Sequence, residues 1–285
     1  MSVGKALVRP IILAPPGYSL MVSDYSSIEN RVLAWLAGDE VTLQGFRDGF
    51  DQYKDMAASL YQVPVEEVTK DQGQFGKVVI LGAGYMMGAD RFREVAASWG
   101  IMLAEHEAKR AIEVYRDKYS LIKRLWHRLN STAQEAVLTG TTQEYLRIKF
   151  GTATVKGIRW LAMQLPSGKS VYYMNPNVEP KFIPGYEHMG KVPTITHLGM
   201  NPYSRKWDRL ALSPGRTTEN ATQATAREAM AYGMLNVQDR MPNCTLIGTV
   251  HDEALTLIPE ELETPEYMNE FNDNLCDIPG RHHAR

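Results

Sequence analysis

The sequence predicts an α+β fold, in which a block of helices is inserted into a domain of antiparallel strands and helices. Three observations lead to this prediction. An apolar strand ends at Asp24, residues 41 to about 150 carry helical periodicity almost throughout, and strands with one long helix fill the remainder. Strands and helices are thus grouped along the chain and do not alternate, which is typical of the α+β class.

The first elements are two strands and a helix. Residues 6 to 24 are predicted to form a strand, a turn at APPG and a second strand, YSLMVSD, which is apolar enough to be buried. Ser26 or Ser27 is the predicted N-cap of the helix IENRVLAWLA, and Gly38 is its predicted stop. Asp24 therefore stands where a strand ends and a helix begins.

Periodicity and turn signals predict the remaining elements. The helical block contains FDQYKDMAASLYQ, QFGKVVILGAGYMMG, RFREVAASWG and a long run from AEHEAKRAIEV to AQEAVLTG. Between residues 155 and 200, β-branched and aromatic residues alternate around turn residues, which indicates strands. A helix is predicted from Thr217 to Val237, and CTLIGTVHDEALTLIP is predicted to form two short strands joined at HDE.

Composition excludes several classes of protein. The chain has 285 residues, of which 44% are hydrophobic and 22% charged, as in ordinary globular proteins. It carries no apolar run of membrane-spanning length and no signal peptide. With only Cys244 and Cys276, we expect a cytoplasmic protein without a disulfide framework. A net charge of −2 counts against a nucleic-acid binder but does not exclude a local basic face.

Carboxylates stand at two predicted strand ends that are far apart in the sequence. Asp24 ends the first central strand, and Asp252 and Glu253 lie at the bend of the last hairpin. A sheet that places these strands side by side would bring Asp24 and Asp252 within reach of a shared cation. Two hard carboxylates with open positions suit magnesium, with waters and substrate phosphates completing its shell. The alternative is that each is an ordinary turn aspartate.

A third group of residues lies in GQFGKVVILGAGYMMG. Lys77, Leu81 and Tyr85 are spaced i, i+4 and i+8, which predicts that they share one helical face. A lysine, a bulky residue and an aromatic ring in that order could hold a nucleoside triphosphate along a helix. The alternative is an amphipathic helix with a surface lysine. The glycines in this stretch do not match a phosphate-binding loop.

Four blocks together resemble the family A DNA polymerases, the DNA polymerase I family, in its bacteriophage branch. DYSSIENRVLAWLAGDE resembles motif A, GKVVILGAGYMMG resembles motif B, and VHDEA resembles motif C. RTTENATQATARE, residues 216 to 228, resembles the palm helix that meets the primer–template minor groove. The blocks occur in the family order and span residues 18 to 258.

The resemblance implies template-directed DNA synthesis with two magnesium ions. By it, Asp24 binds both ions, the backbone carbonyl of Tyr25 helps to hold one, Asp252 is the partner ligand and Glu253 lies close by. Glu29 is implied to be the steric gate that crowds a ribonucleotide 2′-hydroxyl, which favours deoxynucleoside triphosphates as substrates. The other implied contacts are Lys77 and Leu81 with the nucleotide, Tyr85 beside the base pair, His251 near the primer end, and Arg216, Asn220 and Gln223 with DNA.

The same resemblance implies a domain organisation. Residues 1–40 would form the first part of the palm, residues 41–155 the fingers with the motif B helix at about 72–86, and residues 156–285 the second part of the palm. The thumb and the 3′–5′ exonuclease domain would be absent from the chain, so we expect an upstream polypeptide to carry them. A phage-encoded chain would act in the host cytoplasm.

The sequence departs from the family pattern at three places. Gly73 stands where the family has an arginine one turn before Lys77, so a bidentate phosphate donor is missing. The chain also begins just before motif A and ends in RHHAR, where the family continues with an apolar segment. We therefore expect either the catalytic part of a split or truncated polymerase, or a gene remnant that binds nucleotide or partner without turnover. A metal-dependent nuclease is a third reading, but it would not need Lys77 and Tyr85.

Overall fold

The structure is a computed structural model and describes residues 12–182 and 190–278. Its helices are α1 (Ile28–Ala37), α2 (Glu40–Arg47), α3 (Gln52–Tyr61), α4 (Lys70–Ala83), α5 (Ala89–Ser98), α6 (Glu105–Lys118), α7 (Ser120–Thr139), α8 (Pro214–Arg240) and α9 (Pro265–Cys276). Its strands are β1 (Tyr18–Asp24), β2 (Gln143–Tyr145), β3 (Ile148–Val155), β4 (Ile158–Gln164), β5 (Ser170–Lys181), β6 (Val192–Met200), β7 (Trp207–Leu212), β8 (Thr245–Val250) and β9 (Glu253–Pro259). The predicted α+β class is confirmed.

The chain divides into two compact units, one from Glu29 to Thr225 and one that joins the residues up to Ile28 with those from Ala226 onward. In the part of the chain that is described, no helix is long and apolar enough to cross a membrane. The predicted palm and fingers boundaries at residues 40 and 155 stay a prediction.

The unit around β1 contains a three-stranded antiparallel sheet in the order β1-β9-β8. Sheet residues pack with α9 and the second half of α8 in one apolar core: Met21, Met230, Val237, Met241, Ala254, Ile258, Phe271 and Leu275. Apolar area removed from water contributes roughly 25 cal/mol per Å² to stability. This core therefore fixes the strands whose ends carry the predicted carboxylates.

The unit from Glu29 to Thr225 combines helices α1 to α7 with a six-stranded antiparallel sheet in the order β2-β3-β4-β5-β6-β7. Helix α7 lies on one face of this sheet, where the side chains of Phe150, Leu161 and Tyr173 belong to the same buried core as Trp126 of α7. The largest helical contact pairs α3 with α4, which carries the predicted nucleotide-binding residues.

Several predicted bounds need correction. The prediction of helix up to about residue 150 is wrong after Thr139, because Gly140 ends α7 with φ of 74° and strands begin at Gln143. The strands then extend to Leu212 instead of ending near residue 200. The strand predicted from residue 6 falls outside the described residues up to residue 11, and residues 12–14 form no strand.

Other predictions are confirmed with small shifts. The turn at APPG forms, with Gly17 at φ of 82°, and β1 has the predicted ends. Helix α1 follows Ser27 and ends before Gly38, although Ser27 has φ of 55° where an N-cap residue is usually extended. The helix predicted from Thr217 to Val237 is three residues longer at each end.

Candidate active site

Three acidic residues lie at one end of the sheet β1-β9-β8. Asp24, the last residue of β1, pairs directly with Glu253, the first residue of β9, and the backbone N–H of Tyr25 donates to the carbonyl of Asp252 at 3.2 Å. Directly opposed residues of an antiparallel pair project to the same face. Asp24 and Glu253 therefore project to the same face, Asp252 is the next residue along the hairpin, and the cation site predicted between Asp24 and Asp252 stays a prediction.

The hairpin between β8 and β9 turns through His251 and Asp252. His251 has φ of 57°, a conformation that lets the two strands reverse in a two-residue connection. Asp24 and His251 are exposed, whereas Asp252 and Glu253 are half-buried. Asp24 is thus the most accessible of the three acidic residues at this end of the sheet.

The donor set of this sheet end suits a hard cation. It consists of the carboxylates of Asp24 and Asp252 and the carbonyl of Tyr25, which are the oxygen ligands that magnesium prefers. The Tyr25 carbonyl accepts a hydrogen bond from the Ile28 N–H at 3.2 Å. Among residues 12–182 and 190–278, no three His, Cys, Asp or Glu side chains form a metal-binding group of their own.

Tyr25, the residue that follows Asp24, is anchored to the end of α9 by a hydrogen bond. Its hydroxyl donates to the Leu275 carbonyl at 2.5 Å. Gly233 of α8 lies against both groups, and a Cβ atom there would clash with the Leu275 carbonyl and the Tyr25 hydroxyl. Glycine at 233 therefore permits the approach of the helices that holds Tyr25 in place.

We expect Gly233→Ala to destabilise the protein by about 1–3 kcal/mol, because the added methyl group overpacks against backbone that must shift. The measurement is the urea midpoint of unfolding. Tyr232→Ala is the control, since Tyr232 neighbours Gly233 but is 41% exposed. Equal stability of Gly233→Ala and the unchanged chain would contradict the close approach.

In the other unit, Glu29 lies in the first turn of α1 and accepts two hydrogen bonds. The Tyr85 hydroxyl donates to its Oε2 at 2.9 Å, and the Gln223 side-chain amide donates to its Oε1 at 3.3 Å. Burial raises the pKa of Tyr85, and the Glu29 carboxylate raises it further. The hydroxyl thus remains protonated at neutral pH and fixes the Glu29 carboxylate in one orientation.

The pKa of Glu219, on α8, is also affected by the charge of Glu29. Burial raises the pKa of Glu219, and the negative charge of Glu29 adds to the shift, whereas Arg216 opposes it. The sequence analysis did not single out Glu219, although it lies on the polar face of α8 between Arg216 and Gln223. The surroundings of Glu29 thus include a second carboxyl group.

Helix α4 carries Lys77 and Leu81 one turn apart. The helix starts with a capping box between Thr69 and Gln72. The Lys77 ammonium lies 5.5 Å from the centre of the Tyr53 ring, a cation–π distance, and Leu81 is 47% exposed. Gly73, one turn before Lys77, has open space: an added Cβ would lie 3.8 Å from the nearest atom, Lys54 Cγ.

The prediction that Tyr85 continues the face of Lys77 and Leu81 on the helix is wrong, because α4 ends at Ala83 and Tyr85 lies in the turn that follows. One hydrogen bond and one backbone conformation accompany the early end of the helix. The Trp126 indole donates to the Gly84 carbonyl at 2.7 Å, and Met86 adopts φ of 62°. Tyr85 is instead positioned by Glu29.

The three polar residues predicted to meet DNA begin successive turns of α8. Arg216 is exposed. Asn220 donates to the Tyr173 hydroxyl at 2.9 Å, and Gln223 donates to Glu29 as described above. Burial raises the pKa of Tyr173 to about 12. Asn220 and Gln223 therefore also have a structural role within the unit.

Two glycines that the sequence analysis did not single out position candidate site residues. Gly233 leaves room for the Tyr25 hydroxyl, as described above. Gly215 leaves room for the Tyr85 carbonyl, because a Cβ atom at position 215 would clash with it. Gly233 stands inside the predicted helix Thr217–Val237, where a glycine can signal close packing, whereas Gly215 precedes that predicted helix. That signal was available in the sequence, but their partners were not.

Comparisons with known proteins converge on one family. The model of DNA polymerase family A matches residues 2–150 of this chain. The DNA polymerase of Bacillus phage SP02 is 32% identical over 255 residues, which cover 89% of this chain and 37% of that protein. DNA polymerase I of Pseudomonas aeruginosa is 33% identical over 128 residues, covering 45% of this chain and 14% of that protein.

A solved structure supports the fold over nearly the whole chain. The POL domain of Pol1 from M. smegmatis, solved in complex with a DNA primer–template and dNTP, covers 97% of this chain with a TM-score of 0.58 and 20% identity. This chain corresponds to 38% of that structure. It thus spans well under half the length of each of these proteins.

Proposed function

This chain belongs to DNA polymerase family A, and we propose that it adds deoxynucleotides to a primer 3′-hydroxyl under the direction of a DNA template. The observation that carries the proposal is the pairing of the Asp24 strand end with the Asp252 turn. Two acidic groups at adjoining strand ends are what a phosphoryl-transfer site requires, because developing negative charge must be neutralised there.

The acidic sheet end would hold magnesium. Asp24 and Asp252 would supply carboxylate oxygens, Tyr25 its backbone carbonyl, and Glu253 a further acidic group close by. When bound, two magnesium ions lower the pKa of the primer hydroxyl and stabilise the charge on the leaving pyrophosphate. Asp24 is exposed and Asp252 is half-buried, and water and substrate phosphates would complete the coordination shell of the metal.

The residues around α4 and Glu29 would bind the nucleotide. Lys77 would contact the triphosphate, Leu81 would pack beside it, and Tyr85 would stack near the new base pair. Glu29 would exclude a 2′-hydroxyl, and its two hydrogen bonds support this role because a fixed carboxylate is a better steric barrier than a mobile one.

DNA contacts and domain roles are also proposals. His251 would approach the primer end, and Arg216, Asn220 and Gln223 would contact the primer–template. Residues 1–40 and 156–285 would act as the palm and residues 41–155 as the fingers. An upstream polypeptide with the thumb and exonuclease would complete the enzyme.

A second candidate function rests on Gly73. Without an arginine one turn before Lys77, α4 carries one fewer cation for a triphosphate. A module that binds nucleotide or a partner without turnover would tolerate that loss. We rank it below the polymerase because such a module has no need for Asp24, Glu29 and Asp252.

Primer extension separates the two candidates. The chain is assayed alone and together with the polypeptide encoded upstream, with magnesium, a primer–template and all four deoxynucleoside triphosphates. We expect extension in at least one of these two samples. Nucleotide binding with no extension in either sample would favour the non-catalytic module.

Sugar selection provides a test of Glu29. We expect Glu29→Ala to improve ribonucleotide use relative to deoxynucleotide use by about tenfold or more, because the group that crowds the 2′-hydroxyl is removed. The measurement is the ratio of kcat/KM for the two nucleotides. Glu40→Ala, which removes another first-turn glutamate, is the control. An unchanged ratio would mean that Glu29 only holds Tyr85 and Gln223.

A further inference from the structure

The six-stranded sheet has one face covered by α7 and a second face that carries exposed aromatic side chains. On this second face one row of directly paired residues crosses four strands: Trp160 pairs with Met174, Met174 with Leu198, and Leu198 with Arg209. Tyr172 and Trp207 lie two residues from members of this row, and Met200 pairs with Trp207. Because side chains alternate along a strand, all seven share one face, which we call the open face.

The open face is accessible where its largest side chains lie. Tyr172 is 64% exposed, Met200 58% and Trp207 66%, while Trp160 and Met174 are half-buried. Isolated exposed apolar residues are ordinary, but a contiguous group on one face usually marks an interaction site. The three aromatic rings span β4 to β7, a width of roughly 14 Å at the usual strand spacing.

Charge separates this region from the rest of the chain. Residues 143–212 contain ten lysines and arginines and four acidic residues, a formal charge of +6 in a chain whose net charge is −2. Arg209 belongs to the open face, and exposed Arg205 and Lys206 precede Trp207 in the β6–β7 turn. Exposed Lys149 projects from the same face of β3, where it also forms an ion pair with Glu144 at 3.4 Å. The cations thus border the aromatic rings.

We propose that the open face binds single-stranded DNA, with bases stacked on Trp160, Tyr172 and Trp207 and phosphates held by the bordering cations. Aromatic rings on a positively charged surface bind single strands without sequence preference, because each base offers a π-face and each nucleotide a phosphate. An apolar protein partner would account for the rings but not for the local charge. The family model ends at residue 150, before most of this sheet.

This site needs no primer terminus, nucleotide or metal, so it can be tested apart from the proposed function. The measurement is fluorescence anisotropy of a labelled oligothymidine, longer than one binding site of about 16 nucleotides, with EDTA present. We expect Tyr172→Ala and Trp207→Ala each to weaken binding by about 5- to 150-fold. Trp99→Ala is the control, because Trp99 is 48% exposed but lies after α5, away from the sheet.

Two further variants keep the test decisive if an alanine variant does not fold. Trp207→Phe keeps an aromatic ring and should retain binding close to that of the unchanged chain. Lys206→Ala removes a phosphate contact and should lower the slope of log affinity against log salt by about 0.7. A lower salt slope in Lys206→Ala, together with retained binding in Trp207→Phe, would support the site.

Unchanged oligothymidine binding in the Tyr172, Trp207 and Lys206 variants would overturn the proposal. A different result would also overturn it: if these variants abolish self-association in analytical ultracentrifugation but leave oligothymidine binding intact, then the open face joins two copies of the chain.

Discussion

Asp24→Asn and Asp252→Asn are each expected to lower the rate of nucleotide addition by roughly a thousandfold or more, because each removes a proposed magnesium ligand with its negative charge and several kcal/mol of charge stabilisation. Binding of primer–template DNA should change little, since the carboxylates do not contribute attraction to phosphates. The measurements are single-turnover incorporation and DNA affinity for the same preparations.

The substitutions are nearly isosteric, so packing around β1 and β9 should persist. Asp273→Asn provides a matched control, because Asp273 is an exposed aspartate on α9 in the same unit. Near-normal incorporation by either Asp24→Asn or Asp252→Asn would show that these residues are ordinary strand-end aspartates.

Gly73→Arg is expected to improve the use of triphosphate by roughly 10- to 150-fold. A charge-assisted hydrogen bond to phosphate contributes about 1.5–3 kcal/mol, and position 73 shares the helical face of Lys77 one turn later. The structure leaves room for the side chain, because an added Cβ would meet only Lys54 and Val68 at 3.8 and 4.0 Å. The measurement is the apparent KM for the incoming nucleotide.

Gly73→Ala separates a phosphate contact from a gain in helix stability, and Gly76→Ala tests the close packing of α3 against α4. Gly73→Ala should raise stability by about 0.5–1 kcal/mol without the gain in triphosphate use. Gly76→Ala should destabilise the protein, because its Cβ would clash with the Tyr53 carbonyl where α3 and α4 approach closely. Equal improvement by Gly73→Ala and Gly73→Arg would contradict a direct contact between residue 73 and phosphate.

Local patterns were sufficient to predict the elements that carry the carboxylates. The apolar run before Asp24 predicted β1 to the residue, and the alternation around VHDEA predicted the β8–β9 hairpin. Strands β1 and β9 pair side by side in one antiparallel sheet, as the two apolar runs predict. Helix α9 is absent from the predicted elements, although Thr264 and Pro265 at its start are typical N-cap and N1 residues.

The wrong predictions have two causes: tertiary contacts, and a stretch in which helical and strand periodicities overlap. Tyr85 fits the helical spacing of Lys77, but contacts of Trp126 and Gly215 with the adjoining turn hold it outside the helix. Residues 143–150 were read as helix, although QEYLRIKF also alternates as a strand, and only pairing with β4 decides between the two. The sequence does not predict the open face, because tertiary packing decides which side of the sheet α7 covers.

The measurement that tests template-directed synthesis most directly uses four primer–templates that differ only in the first unpaired template base. Each is offered one deoxynucleoside triphosphate at a time, with magnesium and the chain, both alone and together with the proposed thumb-bearing polypeptide. We predict that only the complementary nucleotide is incorporated efficiently and that Asp24→Asn abolishes all four reactions. Absence of incorporation with every template, or incorporation that ignores the template base, would contradict the account.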